Sequence, residues 1–180
     1  EFQIWGQEPT LVLPYITEHW ADWSSILPNL EKTMFSTNAI HCVDEIYDFI
    51  IEANKYATTP LHMTFQISYD GYLGTNNARK ADADLIKNNV MNLITKLNQI
   101  SLPNIGEIIF SYHGVISKEI FNNLLTIEQI EDYIKEINTF LSDINNNRPP
   151  VRKPIDIIIQ GVRFSDSQCS IAGANNECCL

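Results

Sequence analysis

Basic residues are scarce in this chain, with 12 Lys and Arg against 22 Asp and Glu, for a net charge of −10. That balance argues against nonspecific nucleic-acid binding, or an anionic membrane surface, as the main partner. It leaves room for a local cationic pocket. Long apolar runs are missing as well: none approaches the ~20 residues that span a bilayer, and no signal peptide is visible. Cysteine is sparse, with four residues in all. Cys42 stands alone, and Cys169, Cys178 and Cys179 crowd the C-terminus, which is not the dense framework of a small secreted domain. A reducing cytoplasm is the expected compartment. No GxGxxG follows the first apolar run and no Gly-Lys-Ser/Thr phosphate loop occurs, so nucleotide binding of those two kinds is not expected. No CxxC pair supports a zinc site.

What is present is ordinary globular material. The 180 residues are 44% hydrophobic and 19% charged, suited to one domain. Short apolar runs alternate with helical periods. Residues 2–9 read as a strand stopped by Gly6, with Glu8 delivered to its end and held extended by Pro9. A helix is expected over roughly residues 14–30, with Ile16, Trp20, Trp23, Leu27 and Leu30 on one face. A strand over about 32–36 and a helix near 43–54 follow. The next strand, near 61–68, leads into a long connection of about residues 69–81, the length of a functional loop.

Asp82 is placed to cap a helix with Leu85, Ile86, Val90, Leu93, Leu97 and Ile100 inward. A fourth strand is expected over about 107–113. Thr126 and Gln129 form a capping-box pattern before a helix with Ile127, Ile130, Ile134, Ile137, Leu141 and Ile144 on its buried face. The last strand is expected near 155–160, ending at Gly161-Val162. Five strand–helix alternations imply parallel strands with right-handed crossovers, as a barrel wall or an open doubly wound sheet.

Three strand ends, taken together, resemble the radical S-adenosylmethionine (radical SAM) enzymes. The family's Gly-Gly-Glu-Pro corresponds to Gly6-Gln7-Glu8-Pro9, and its Ser-Thr-Asn-Gly to Ser36-Thr37-Asn38-Ala39. Its Ser-x-Asp-Gly, followed by an arginine-bearing loop, corresponds to Ser68-Tyr69-Asp70-Gly71 with Arg79. The resemblance implies a partial parallel (β/α)6 TIM-like barrel entered at its second strand, over residues 1–162. Gln7 and Ala39 depart from the family's glycines. The CxxxCxxC motif that holds the family's 4Fe-4S cluster is not in this sequence, and the resemblance implies that it lies upstream. Residues 163–180, with Cys169-Ser170-Ile171-Ala172-Gly173, resemble the start of a SPASM or twitch extension, in which the first cysteine ligates an auxiliary iron–sulfur cluster.

By that resemblance, Gly6, Gln7, Glu8 and Pro9 form the segment that meets the amino group of S-adenosylmethionine. Arg79 clamps its carboxylate, Ser68 and Asp70 lie toward the ribose and carboxylate, and Ser36 and Asn38 toward the ribose or amino end. Gly161 and Val162 approach adenine through backbone groups. The expected activity is reductive cleavage of the cofactor to a 5′-deoxyadenosyl radical for hydrogen abstraction. An electron donor such as flavodoxin or ferredoxin is implied, and the SPASM-like tail tilts the substrate toward a peptide or protein. The residues alone allow plainer roles. Glu8 could be a solvated loop carboxylate, Arg79 a surface arginine, Asp70 a turn residue, and Ser36 and Asn38 helix caps. Gly161 and Val162 could merely end a strand, and Cys169 could be a free thiol or a zinc ligand. Two other functions stay open, a non-catalytic binding module on the same fold and an unrelated α/β-barrel enzyme acting on a small acidic or phosphorylated metabolite.

Overall fold

The computed structural model describes residues 1–4, 8–41, 43–116, 120, 122–146 and 159–164. Five strands form one sheet in chain order: β1 (Phe2–Ile4), β2 (Lys32–Thr37), β3 (Leu61–Ser68), β4 (Ile105–Ile116) and β5 (Ile159–Phe164). Every neighbouring pair is parallel. The fold is therefore α/β with a parallel sheet, and the described strands lack the order reversal that marks a doubly wound sheet.

A 3-10 turn (Pro9–Val12), α1 (Leu13–Glu18) and α2 (Trp20–Ile26) join β1 to β2. The later connections carry α3 (Val43–Tyr56), then α4 (Gly71–Leu73) with a π turn (Gly74–Ala78) and α5 (Ala83–Asn98), then α6 (Ile127–Asn146). Helices α1 and α2 touch α3, α3 touches α5, and α5 touches α6. Helices split between the two faces could not meet in this way, so they form one layer.

Between sheet and helices lies an aromatic seam. Phe35, Phe65 and Phe110 are directly in register on β2, β3 and β4. Their rings stack at 5.9 and 5.8 Å. From the helix side, Phe49 meets Phe35 edge-on at 5.1 Å and Trp20 meets Phe49 at 4.9 Å. All five are buried. Each fully buried ring contributes about 2–3 kcal/mol through removal of apolar area from water, so this row anchors the sheet.

Several boundaries differ from those read off the sequence. The helix expected over 14–30 is two short helices that meet at His19 and end at Ile26, and Leu27 is exposed. The long connection after β3 is not an open loop; it is wound into α4 and the π turn. In α6 the expected inward stripe holds only in its second half: Ile137 and Leu141 pack against the core, Ile127, Ile130 and Ile134 are exposed, and Tyr133 and Phe140 are buried. Two stripes overlap on this helix, and the sheet takes the one with the larger rings. Leu85 of α5 is likewise exposed. Strand β5 runs on to Phe164, so Gly161 and Val162 lie inside a strand rather than past its end. The sheet thus continues two residues beyond the expected domain boundary at 162.

Candidate functional site at the carboxyl ends of the strands

Parallel strands bring their carboxyl ends to one edge of the sheet. Glu8 sits there with extended backbone (φ −145°, ψ 83°), as the following proline requires. Its Oε2 accepts the backbone N–H of Asn38 at 2.7 Å, and its Oε1 accepts the Thr10 hydroxyl. Thr10 in turn lies 3.4 Å from the Thr37 hydroxyl. A carboxylate after β1 is thereby tied to the end of β2, 30 residues on. The two glycine-motif segments of the sequence meet in space. Pro9 is buried at the start of the 3-10 turn; Gly6 and Gln7 lie outside the described residues.

The turn after β2 is closed by its own side chains. Thr37 Oγ1 accepts Ala39 N–H at 3.0 Å and Asn38 Oδ1 accepts Ile40 N–H at 2.9 Å. Asn38 is therefore occupied locally, in a turn ahead of α3 and not as its cap. Ala39 takes φ +53°, the left-handed region that favours glycine. Alanine here adopts the backbone that a glycine would adopt with ease. Asn89 of α5 fixes it by donating to Ala39 O at 2.9 Å and Ile40 O at 3.2 Å.

The end of β3 is held from α4 and α6. Asp70 is only 3% exposed and is gripped by the Arg79 fork, through Nε to Oδ2 and through Nη2 to Oδ1 at 3.0 Å. Arg79 is thus committed along one edge to a protein carboxylate, whereas the sequence expectation aimed it at a ligand carboxylate. Asp70 N–H donates to Thr75 Oγ1 at 3.1 Å, and the Tyr133 hydroxyl donates to Asp70 O at 3.0 Å. Gly71 has φ +73°, and a Cβ there would come within 2.6 Å of the Tyr133 ring. A Cβ on Gly74 would meet the Asp70 side chain at 2.5 Å. Both glycines serve close approach, not mobility.

Glu136 Oε1 accepts the Tyr72 N–H at 2.6 Å and the Tyr69 hydroxyl at 3.2 Å. Burial, reinforced by Glu136, raises the Tyr69 hydroxyl pKa well above its ordinary value. The hydrogen bond to Asp84, with burial, pushes Tyr72 up to about 12. Burial pushes Tyr133 to about 12, with Asp70 and Glu136 adding to it. These phenols stay neutral donors throughout the physiological range.

On the face of the sheet away from the helices, Ser36, Gln66 and Ser111 form a register row across β2, β3 and β4. Each follows one of the stacked phenylalanines, so strand alternation turns it to the opposite side. Gln66 is 7% exposed and Ser111 is 0% exposed. Among the described residues, Gln66 Oε1 and Ser111 Oγ have no hydrogen-bond partner. One step further along, half-buried Ser68 pairs in register with His113, and His113 with Gly161. Val162 pairs with Gly114 in the same ladder.

The structure therefore brings Glu8, Pro9 and Asn38 together, and sets His113 between Ser68 and Gly161. Asp70 and Arg79 form their own pair. Sequence reasoning missed Thr10, Tyr133, Glu136, Gln66 and Ser111. For the last two the only local mark is a polar residue directly after a phenylalanine in a strand. The described residues hold no group of three His, Cys, Asp or Glu placed for a metal, and all four cysteines, Cys169 included, lie outside them. No described helix is long and apolar enough to cross a membrane. Comparison with models of known protein families, with curated proteins and with solved structures finds no match in any of the three.

Proposed function

We propose that the chain carries the S-adenosylmethionine-binding wall of a radical SAM enzyme, built on a partial barrel. The observation that carries this reading is the hydrogen bond from Asn38 N–H to Glu8 Oε2. It unites Glu8-Pro9 with Ser36-Thr37-Asn38-Ala39 at the edge where Ser68-Tyr69-Asp70-Gly71 also ends. Sequential parallel strands with one helical layer support the barrel form of the sheet. The positive φ of Ala39 supports the motif despite its missing glycine.

The donor set fits the cofactor. A carboxylate offers about four lone-pair sites, so Glu8 keeps capacity for an ammonium after accepting its two protein donors. Ser36 and Ser68 supply hydroxyls for a ribose, and the ladder at Gly161 and Val162 supplies backbone near the same edge. Bound beside an iron–sulfur cluster, S-adenosylmethionine supplies the radical chemistry; the chain's residues orient it and exclude water. No described residue is assigned to the cluster.

A second reading, a binding module without radical chemistry, is favoured by Arg79, which is spent on Asp70 rather than turned to a ligand. Titration calorimetry with S-adenosylhomocysteine separates a cofactor site from none. We expect binding by the 180-residue chain and a roughly tenfold loss in Glu8→Gln, the scale of one charge-assisted hydrogen bond. Equal affinity of the two proteins removes Glu8 from the site. With the cluster reconstituted anaerobically and seen spectroscopically, failure to form 5′-deoxyadenosine under reduction selects the binding module.

A further inference from the structure

We infer that Thr10 and Thr37 are positioning residues, whose hydroxyls form a one-way hydrogen-bond chain that sets the Glu8 carboxylate to receive the ammonium group of a bound ligand. The inference rests on the proposed function for the ligand, and goes beyond it in assigning what aims Glu8.

The direction of the chain follows from counting protons. Each threonine hydroxyl has one to give. Thr10 spends its proton on Glu8 Oε1. The contact between the Thr10 and Thr37 hydroxyls, at 3.4 Å, therefore uses the Thr37 proton, with Thr10 as acceptor. Thr37 Oγ1 itself accepts the Ala39 N–H at 3.0 Å. The order runs from Ala39 N–H through Thr37 and Thr10 to Glu8, and every donor in it points toward the carboxylate. Hydrogen bonds aligned in this way polarise and strengthen one another.

The chain is buried, and its end is not. Thr10 is 0% exposed and Thr37 is 2% exposed, so water does not compete for either hydroxyl. Asn89 of α5 holds the turn at the head of the chain through Ala39 O and Ile40 O. Asn38 N–H takes the second carboxylate oxygen, Oε2, at 2.7 Å. One donor on each oxygen fixes the plane of the carboxylate. Glu8 itself is only half-buried, and its remaining lone pairs are free for a ligand.

Charge then selects the ligand group. Of the two carboxylates at the strand ends, Asp70 already has its cation in Arg79. Glu8 is bonded only to neutral donors, and no lysine or arginine among the described residues pairs with it. A fixed carboxylate without a counter-charge suits an ammonium, which brings both the charge and several N–H donors.

The test is titration calorimetry on the 180-residue chain with two nucleosides. S-adenosylhomocysteine carries the ammonium, and 5′-methylthioadenosine lacks it. Thr10→Val keeps the side-chain shape without the hydroxyl. It should weaken S-adenosylhomocysteine about five- to tenfold, the scale of one hydrogen bond, and leave 5′-methylthioadenosine within about twofold. Thr10→Ser should restore the affinity. In a Glu8→Gln background, adding Thr10→Val should cost nothing further. Equal weakening of both nucleosides would mean that Thr10 serves the fold, and would overturn the inference. Wild-type affinity for S-adenosylhomocysteine in Thr10→Val would overturn it too, and would leave the cofactor reading standing. If the wild type binds neither nucleoside, the proposed function fails by itself, and the Asn38 amide proton decides the chain. Thr10→Val should move that signal and Thr10→Ser return it, upholding Thr10 as what positions Glu8; an unmoved signal overturns the inference without any ligand.

Discussion

The two faces of β2, β3 and β4 are one residue apart in sequence and follow opposite rules. Toward the helices stand Phe35, Phe65 and Phe110, stacked in register and closed over by Phe49 and Trp20. On the other side stand Ser36, Gln66 and Ser111, also in register and mostly buried but polar; orphaned polar atoms occur on both sides, on Gln66 and Ser111 here and on Trp20, Thr33 and Tyr112 toward the helices. Burial of the stacked rings on the first face stabilises the fold, whereas the Gln66 and Ser111 oxygens on the second face add no hydrogen bond to it. A third kind of surface joins them, the strand ends, where Glu8, Asp70 and Asn38 are all partnered within the chain. Polar residues in one domain thus divide into those bonded at the strand ends and those buried along the strands without a partner among the described residues.

The sharpest way to break this contrast is to truncate neighbours on opposite faces. Phe65→Ala should lower unfolding free energy by about 4 kcal/mol, from lost burial plus the cavity left among stacked rings. Gln66→Ala, one residue on, should change it by less than about 1 kcal/mol, because its acceptor has no bond to lose. Chemical denaturation of the two variants measures the difference. Similar losses would mean that the polar face is as structural as the aromatic one.

A smaller effect should appear at the partnered strand ends. Arg79→Ala leaves Asp70, 3% exposed, without its guanidinium fork. Breaking a buried pair costs several kcal/mol, but the Arg79 side chain is 33% exposed and water screens part of the attraction. A loss of about 2 kcal/mol is expected. Adding Asp70→Asn to Arg79→Ala should restore part of it, since the uncompensated charge is then gone. No recovery in the double variant would show that the loss comes from packing of the loop, not from the stranded carboxylate.

The sequence made some of this legible because certain signals are local. The Asp82 cap is present, its carboxylate accepting Asp84 and Leu85 N–H at 3.0 and 3.1 Å. So is the capping box, with Thr126 and Gln129 exchanging bonds at 3.2 and 3.0 Å. Strand–helix alternation set the fold class, and the Ser-x-Asp-Gly and Glu-Pro segments marked the right edge of the sheet. What stayed hidden depends on partners far away in the chain. Nothing local says that Arg79 reaches Asp70, or that Glu136 and Tyr133 come over from α6 to hold Tyr72 and Asp70. In α6 itself the isoleucine period is real, but Tyr133 and Phe140 lie on an adjoining stripe and take the buried side. Gly71 and Gly74 lie in the long connection after β3, and nothing local says that they let it fold tightly against Tyr133 and Asp70.

The smallest expected effect has the opposite sign. Ala39 holds φ +53° with its neighbours bonded on either side, through Thr37, Asn38 and Asn89. A left-handed backbone costs a residue with a Cβ roughly 1 kcal/mol more than glycine, and the surrounding bonds keep it there. Ala39→Gly removes that strain, but it frees the unfolded chain and empties a site that is 3% exposed. The first term should win narrowly, giving a gain of about 0.5 kcal/mol. A thermal melt that moves up, with S-adenosylhomocysteine affinity kept, would show that the strand-end turn is strained by its residue and not by its role. A melt that moves down by a clear margin would mean that the methyl group packs more usefully than its backbone suggests, and the Ser36-Thr37-Asn38-Ala39 turn would then be stable as an alanine turn in its own right.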